Sequence, residues 1–67
     1  MRYDFKFGID EYVRARIYDT FRDEYYYFKG NIISCTIDKL DGERYNIKNK
    51  NGNIISIRLE EIIERII

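Results

Sequence analysis

The chain has no histidine, no proline and no tryptophan, and its only cysteine is Cys35. Without histidine, the most common general base and the most common metal ligand are both missing. A lone cysteine forms no internal disulfide, so a reducing compartment is expected. No apolar run reaches membrane length, and neither a signal peptide nor a lipid-anchor motif is found; the expected setting is cytoplasmic, away from membranes. Net charge is absent too. Twelve basic residues balance twelve acidic ones, so no overall pull draws the chain to nucleic acid or to acidic partners.

Short length sets a further limit. Sixty-seven residues make one domain, and such a chain buries only about 60% of its unfolded surface. Its expected stability is on the order of 5 kcal/mol or less unless an oligomer contributes.

What the chain has in surplus is isoleucine, thirteen residues, and tyrosine, seven. That bias is the codon signature of an AT-rich genome and carries no mechanism. Seven tyrosines and four phenylalanines exceed what one small core can hold. Some must lie on the surface, at an interface or over an open end of the fold.

The organising stretch is residues 44–62, two strand-like runs around Asn51-Gly52. Glycine reaches positive φ without a Cβ clash, which makes this pair a hairpin signal. A two-residue loop would put Tyr45 and Ile47 on the face of Ser56 and Arg58. A three-residue loop, Lys50-Asn51-Gly52, pairs Ile47 with Ile55 and Tyr45 with Ile57, leaving one apolar face. The three-residue turn, with Gly52 left-handed in a bulge, is therefore expected. The same rule applied to Leu40-Asp41-Gly42 pairs Tyr45 with Ile37 and Ile47 with Cys35.

Residues 1–7 alternate, with Tyr3, Phe5 and Phe7 on one side, as an added strand or arm. Gly8-Ile9-Asp10 turns into residues 12–18, a strand with Val13, Ala15 and Ile17 facing in. Residues 19–24 form a polar loop with Phe21 in its middle. The long strand over residues 25–37 changes parity near Ile33, which implies a bulge or sharp bend. Gly30 takes an inward position suited to close backbone approach. Leu59-Glu60-Glu61-Ile62 reads as one 3₁₀ turn, and residues 63–67 as a last short strand. The expected fold is all-β: a five-stranded SH3-like barrel over residues 9–67, with residues 1–8 as the extra element.

Four short pieces resemble Tudor domains within the SH3-like class. They are the opening from Gly8 to Ala15, Phe28-Lys29-Gly30-Asn31-Ile32, Gly52-Asn53, and Leu59-Glu60-Glu61-Ile62. The resemblance implies a barrel that holds methylated lysine or arginine in an aromatic cage by cation–π attraction. The cage positions fall on Ile17, Phe28, Lys48 and Asn51, of which Phe28 alone is aromatic, so the cage is not matched. Tyr18, Tyr25 and Tyr27 are the residues left to replace its walls.

Two candidate surfaces remain. One is the tyrosine-rich rim of Tyr18, Tyr25, Tyr26, Tyr27 and Phe28, since tyrosine brings large contact area at little entropy cost. Against it stands the bland alternative that Phe28 and one tyrosine complete the core. The other is an outward face free of acids, carrying Tyr12, Arg14, Arg16, Lys29, Arg44 and Lys48 beside Tyr18, Tyr27, Asn31 and Asn46. Cations interleaved with rings hold phosphates and stack bases; the bland alternative is a solvated face salted by loop acids. Cys35 has no base beside it and reads as core. Asp23/Glu24 and Glu60/Glu61 lack metal-ligand spacing. The expectation is a non-catalytic module without cofactor or metal, bound to a protein partner through the tyrosine rim. It would serve as a complex subunit or a small phage-type inhibitor. A nucleic-acid-binding barrel is the alternative. The N-terminal strand and the sheet edges offer routes to a homo-oligomer.

Overall fold

The computed structural model describes residues 4–67. Five strands run in chain order: β1 (Tyr12–Asp19), β2 (Glu24–Asp38), β3 (Gly42–Lys48), β4 (Ile54–Arg58) and β5 (Ile62–Arg65). A single 3₁₀ turn, Leu59–Glu61, separates the last two. All pairings are antiparallel, in one sheet of order β4-β3-β2-β1-β5. No ladder joins β4 to β5 among the described residues, so hydrogen bonding does not close the sheet into a barrel. No helix there is long and apolar enough to cross a membrane.

Alternation along β1 decides its faces. Val13 and Ala15 are fully buried and Ile17 half-buried, while Tyr12, Arg16 and Tyr18 are exposed. With Ile32, Tyr45, Ile47, Ile57 and Phe7 they make the core, and Phe28, Cys35, Ile55, Leu59 and Ile62 pack around it. The register of β3 on β4 is the expected one, Tyr45 opposite Ile57 and Ile47 opposite Ile55. The turn between them closes with the Asn49 N–H bonded to the Asn53 carbonyl, and Gly52 sits at φ +88°.

The β2–β3 hairpin departs from expectation by two residues. Cys35, not Ile37, stands opposite Tyr45, and Ile47 faces Ile32 rather than Cys35. The cause is Asp38. Its carboxylate accepts the N–H groups of Leu40 (2.8 Å) and Asp41 (3.0 Å), which starts the turn early and leaves Leu40 on its exposed tip. Asp19 and Asn49 open the other two hairpins the same way, each side-chain oxygen accepting two main-chain N–H groups. Such local bonds compete with the ladder and fix where a strand ends. The expected parity change is present, as a register shift between Ile32 and Ser34.

The added strand or arm expected at the N-terminus is, over its described residues, an arm. Residues 1–3, including Tyr3, lie outside the described residues, and residues 4–8 form no strand. Main-chain groups here bond to side chains instead of a ladder. The Lys6 N–H meets Glu43 (3.0 Å) and the Phe7 N–H meets the Tyr45 hydroxyl (3.3 Å), while the Phe7 carbonyl accepts from the Cys35 thiol (3.8 Å). Phe5 and Phe7 pack edge-on to the Tyr45 ring at 6.1 and 5.9 Å. Arg65 straps the segment from outside, ion-paired with Glu11, 4.7 Å above the Phe7 ring and bonded to the Lys6 carbonyl (3.2 Å). Apolar alternation thus reports a packed arm here, not a strand.

Candidate functional site: the aromatic hairpin of β1 and β2

The site is built by the β1–β2 ladder, which continues past the core. Its register pairs Ile17 with Tyr26 on the inner face, and Arg16 with Tyr27 and Tyr18 with Tyr25 on the outer one. The tyrosine run therefore does not form one rim. Tyr25 and Tyr27 lie outside, Tyr26 and Phe28 inside, because a strand sends successive side chains to opposite faces. All three tyrosines remain exposed, at 55%, 42% and 62% in chain order, while Phe28 is half-buried against the core.

At the tip stands Phe21, a residue 99% exposed. Asp19 accepts the N–H groups of Phe21 (2.9 Å) and Arg22 (3.3 Å), and Asp23 takes a left-handed φ of +55° to bring the chain back. Sequence reasoning treats Phe21 as a residue within a polar loop. The signal for its exposure was there: an aromatic two residues after an Asx, in a turn too tight to fold it back.

Behind the tip, Tyr18 and Tyr25 meet edge to face at 5.1 Å, and the Arg16 guanidinium lies 4.4 Å above the Tyr25 ring. Stacking of this kind holds both side chains upright. It also covers the ring that a replacement cage would need. Of the positions implied for the cage, Ile17 and Phe28 face inward, while Lys48 ends β3 and Asn51 lies in the exposed turn beyond it.

The basic residues divide. Arg14 and Lys29 are opposite one another and, with Tyr27 and Ile63, line a shallow depression of about 440 Å³. Arg14 pairs with Glu64 at 2.8 Å, because β5 lies beside β1 with Glu64 opposite Arg14. Arg44 sits at the far end of the sheet, paired with Asp41 at 2.6 Å and bonded to Ser56 (3.1 Å). Asn46 is tied to Ser34 at 2.7 Å, and Lys48 stands opposite Asn31, with Tyr12 across from Asn31 on the other side. The outward face carries no acid at the positions named from the sequence, but β5 and a turn bring Glu64 and Asp41 onto it. Two of its five cations carry a carboxylate, and Arg44 is remote from the other three on β1 and the first half of β2. Arg16, Lys29 and Lys48 form no ion pair among the described residues.

Cys35 is a free thiol, half-buried, and burial raises its pKa, with Glu43 and Glu11 adding to the effect. A thiol held protonated is a poor nucleophile. Among the described residues no group of three or more Cys, Asp or Glu side chains is arranged to hold a metal ion. No protein family, curated protein or solved structure matches the chain.

Proposed function

We propose that this chain is an SH3-like, Tudor-like module without catalytic activity, bound to a protein partner through the aromatic hairpin of β1 and β2. The architecture is supported by a fifteen-residue β2 that bends at a bulge and pairs with both β1 and β3, and by the 3₁₀ turn between the two edge strands. The single observation that carries the function is Phe21, fully exposed at a tip whose flanks present Tyr18, Tyr25, Tyr26 and Tyr27. Tyr18 and Tyr25, held by their edge-to-face contact and by Arg16, lose little side-chain entropy on docking, and exposed aromatics are the composition of interface centres. Nearby Asp19, Asp23 and Glu24 disfavour phosphate at the tip. The module would act as a complex subunit or a small phage-type inhibitor. A reducing, cytoplasmic setting suits the free thiol of Cys35.

Affinity capture from the cells that make the protein tests the proposal, with Phe21→Ala and Tyr27→Ala as controls. A protein retained by the wild type and lost from both folded variants is the expected result. Retention of the same set by all three would overturn it. So would steeply salt-dependent oligonucleotide binding that disappears in Arg14→Ala and Lys29→Ala, the behaviour of phosphate contacts.

A further inference from the structure

The free edge of β4 carries the most specific information beyond the hairpin. In an antiparallel pair, alternate residues turn their N–H and C=O toward the partner strand and the rest turn them away. The bond from the Asn49 N–H to the Asn53 carbonyl sets the phase of the β3–β4 ladder. Ile55 and Ile57 then bond to β3, and Ile54, Ser56 and Arg58 point to the open side. Arg58 is already capped there, its N–H donated to Glu61 at 2.8 Å. That leaves the N–H and C=O groups of Ile54 and Ser56, both exposed residues, without a partner among the described residues. Unpaired edges are templates for another strand unless proline or an inward-pointing charge guards them, and β4 reads Ile-Ile-Ser-Ile-Arg.

We propose that a second copy of this chain occupies the edge, β4 against β4 in antiparallel pairing about a two-fold axis. Only one register satisfies all the open groups: Ile54 of each copy opposite Ser56 of the other, with the two Ile55 residues facing at the centre. Charge supports a second copy as the occupant. Lys50 lies beyond one end of β4 and Glu60 beyond the other, and this register brings the Lys50 end of each copy beside the Glu60 end of its mate. Lys50 has no ion pair among the described residues, whereas Glu60, exposed, is shared with Arg58 of its own copy at 3.4 Å. An isologous contact of this kind is self-limiting, because each β4 edge is used once. The inference is independent of the aromatic hairpin, which lies on β1 and β2.

Sedimentation equilibrium across a micromolar-to-millimolar series tests it. The expected result is a shift from 8.2 kDa toward twice that mass, with slowed amide exchange at Ile54 and Ser56 as concentration rises. Ser56→Pro removes an N–H that the ladder does not use, with Ser56→Ala as the control for the lost Arg44 contact. The proline variant alone should abolish the shift while circular dichroism stays unchanged. Lys50→Glu should weaken association, and adding Glu60→Lys to the same chain should restore it. If Ser56→Pro does not fold, the charge-reversal pair decides alone. A monomer at every concentration overturns the proposal, as does a dimer indifferent to these changes or one lost on Tyr27→Ala. Concentration-independent protection of Ser56 that vanishes on deleting residues 1–3 would place that segment on the edge instead, and overturn it too.

Discussion

Gly30 lies against the main chain of Lys48, so close that a Cβ on residue 30 would stand 2.6 Å from the Lys48 carbonyl oxygen and 2.8 Å from its carbonyl carbon. Neither atom belongs to a flexible side chain that could swing aside. The contact occurs where β3 ends over the inner face of β2, and it needs a residue without a side chain. Gly30→Ala is therefore expected to destabilise by about 1–3 kcal/mol, the usual cost of overpacking a well-filled interior. Thermal or urea unfolding checks this, and an unchanged midpoint would mean the strands do not approach as closely as described.

Gly52 tests a different mechanism. A Cβ there meets nothing within 4 Å, but φ is +88°. Gly52→Val is expected to cost about 1–2 kcal/mol through backbone strain alone. Gly52→Asn should recover most of that stability, because asparagine tolerates the left-handed region. Comparing the two unfolding midpoints separates conformation from crowding.

Stability should fall at both ends of the pH scale. The Gly8 N–H, and then Arg65, hold the Glu11 carboxyl below its ordinary range; the Asp41 and Leu40 N–H groups do the same for Asp38. Depressed carboxyls stabilise the fold above their unfolded values, about pH 4, and that contribution is lost as pH drops through the folded ones. Tyr45 behaves oppositely. Burial, followed by its hydrogen bond to the Glu43 carboxylate, raises its pKa well above that of a free tyrosine. Its contribution is complete below about pH 10 and is lost as pH rises toward the folded value. Melting temperature should be flat between these limits and drop outside them. The Tyr45 hydroxyl should ionise only as the fold is lost, a step in tyrosinate absorbance that Tyr45→Phe removes. Ionisation of Tyr45 near the ordinary tyrosine value in the native state would contradict its burial.

Binding variants rank the two candidate surfaces. Tyr26→Ala and Tyr27→Ala should each cost on the order of 2 kcal/mol in partner affinity. Arg14→Ala and Lys29→Ala should cost much less and act mainly on the association rate. Calorimetry with a captured partner supplies the numbers. Tyr27 lines both surfaces, so the ranking is read on Tyr26, and its reversal would move the interface to the depression beside Ile63.

Methylated-lysine and methylated-arginine peptides should bind no tighter than about 1 mM. Arg16 already covers the Tyr25 ring, and Ile17, Lys48 and Asn51 occupy the positions that the Tudor-like reading implies for aromatic walls. A peptide titration giving micromolar affinity would show that Tyr18, Tyr25 and Tyr27 rebuild a cage.

Local chemistry made several features of this protein legible in its sequence. Period-two alternation assigned Val13, Ala15 and Ile17 to the inside, because a strand offers no other arrangement to its side chains. The Lys50-Asn51-Gly52 turn and its register followed from the need for one apolar face. The bend near Ile33 followed from the parity change, and the 3₁₀ turn from a segment too short for a helix. The β2–β3 register was harder to see, since it turns on whether Asp38 bonds to its own turn or lets the strand continue, and both outcomes keep Ile37 and Cys35 on one side. Tertiary structure alone decided the rest. Alternation in residues 1–7 could not distinguish a paired strand from an arm whose described residues are held by Tyr45, Glu43 and Arg65, 37 to 59 positions away. Nor could strand patterns place Glu64 beside Arg14, 50 positions away, because that ion pair depends on β5 becoming the neighbour of β1. Phe21 shows the same division: its turn is local, but its exposure depends on the sheet ending before it, with no other element above to cover the ring.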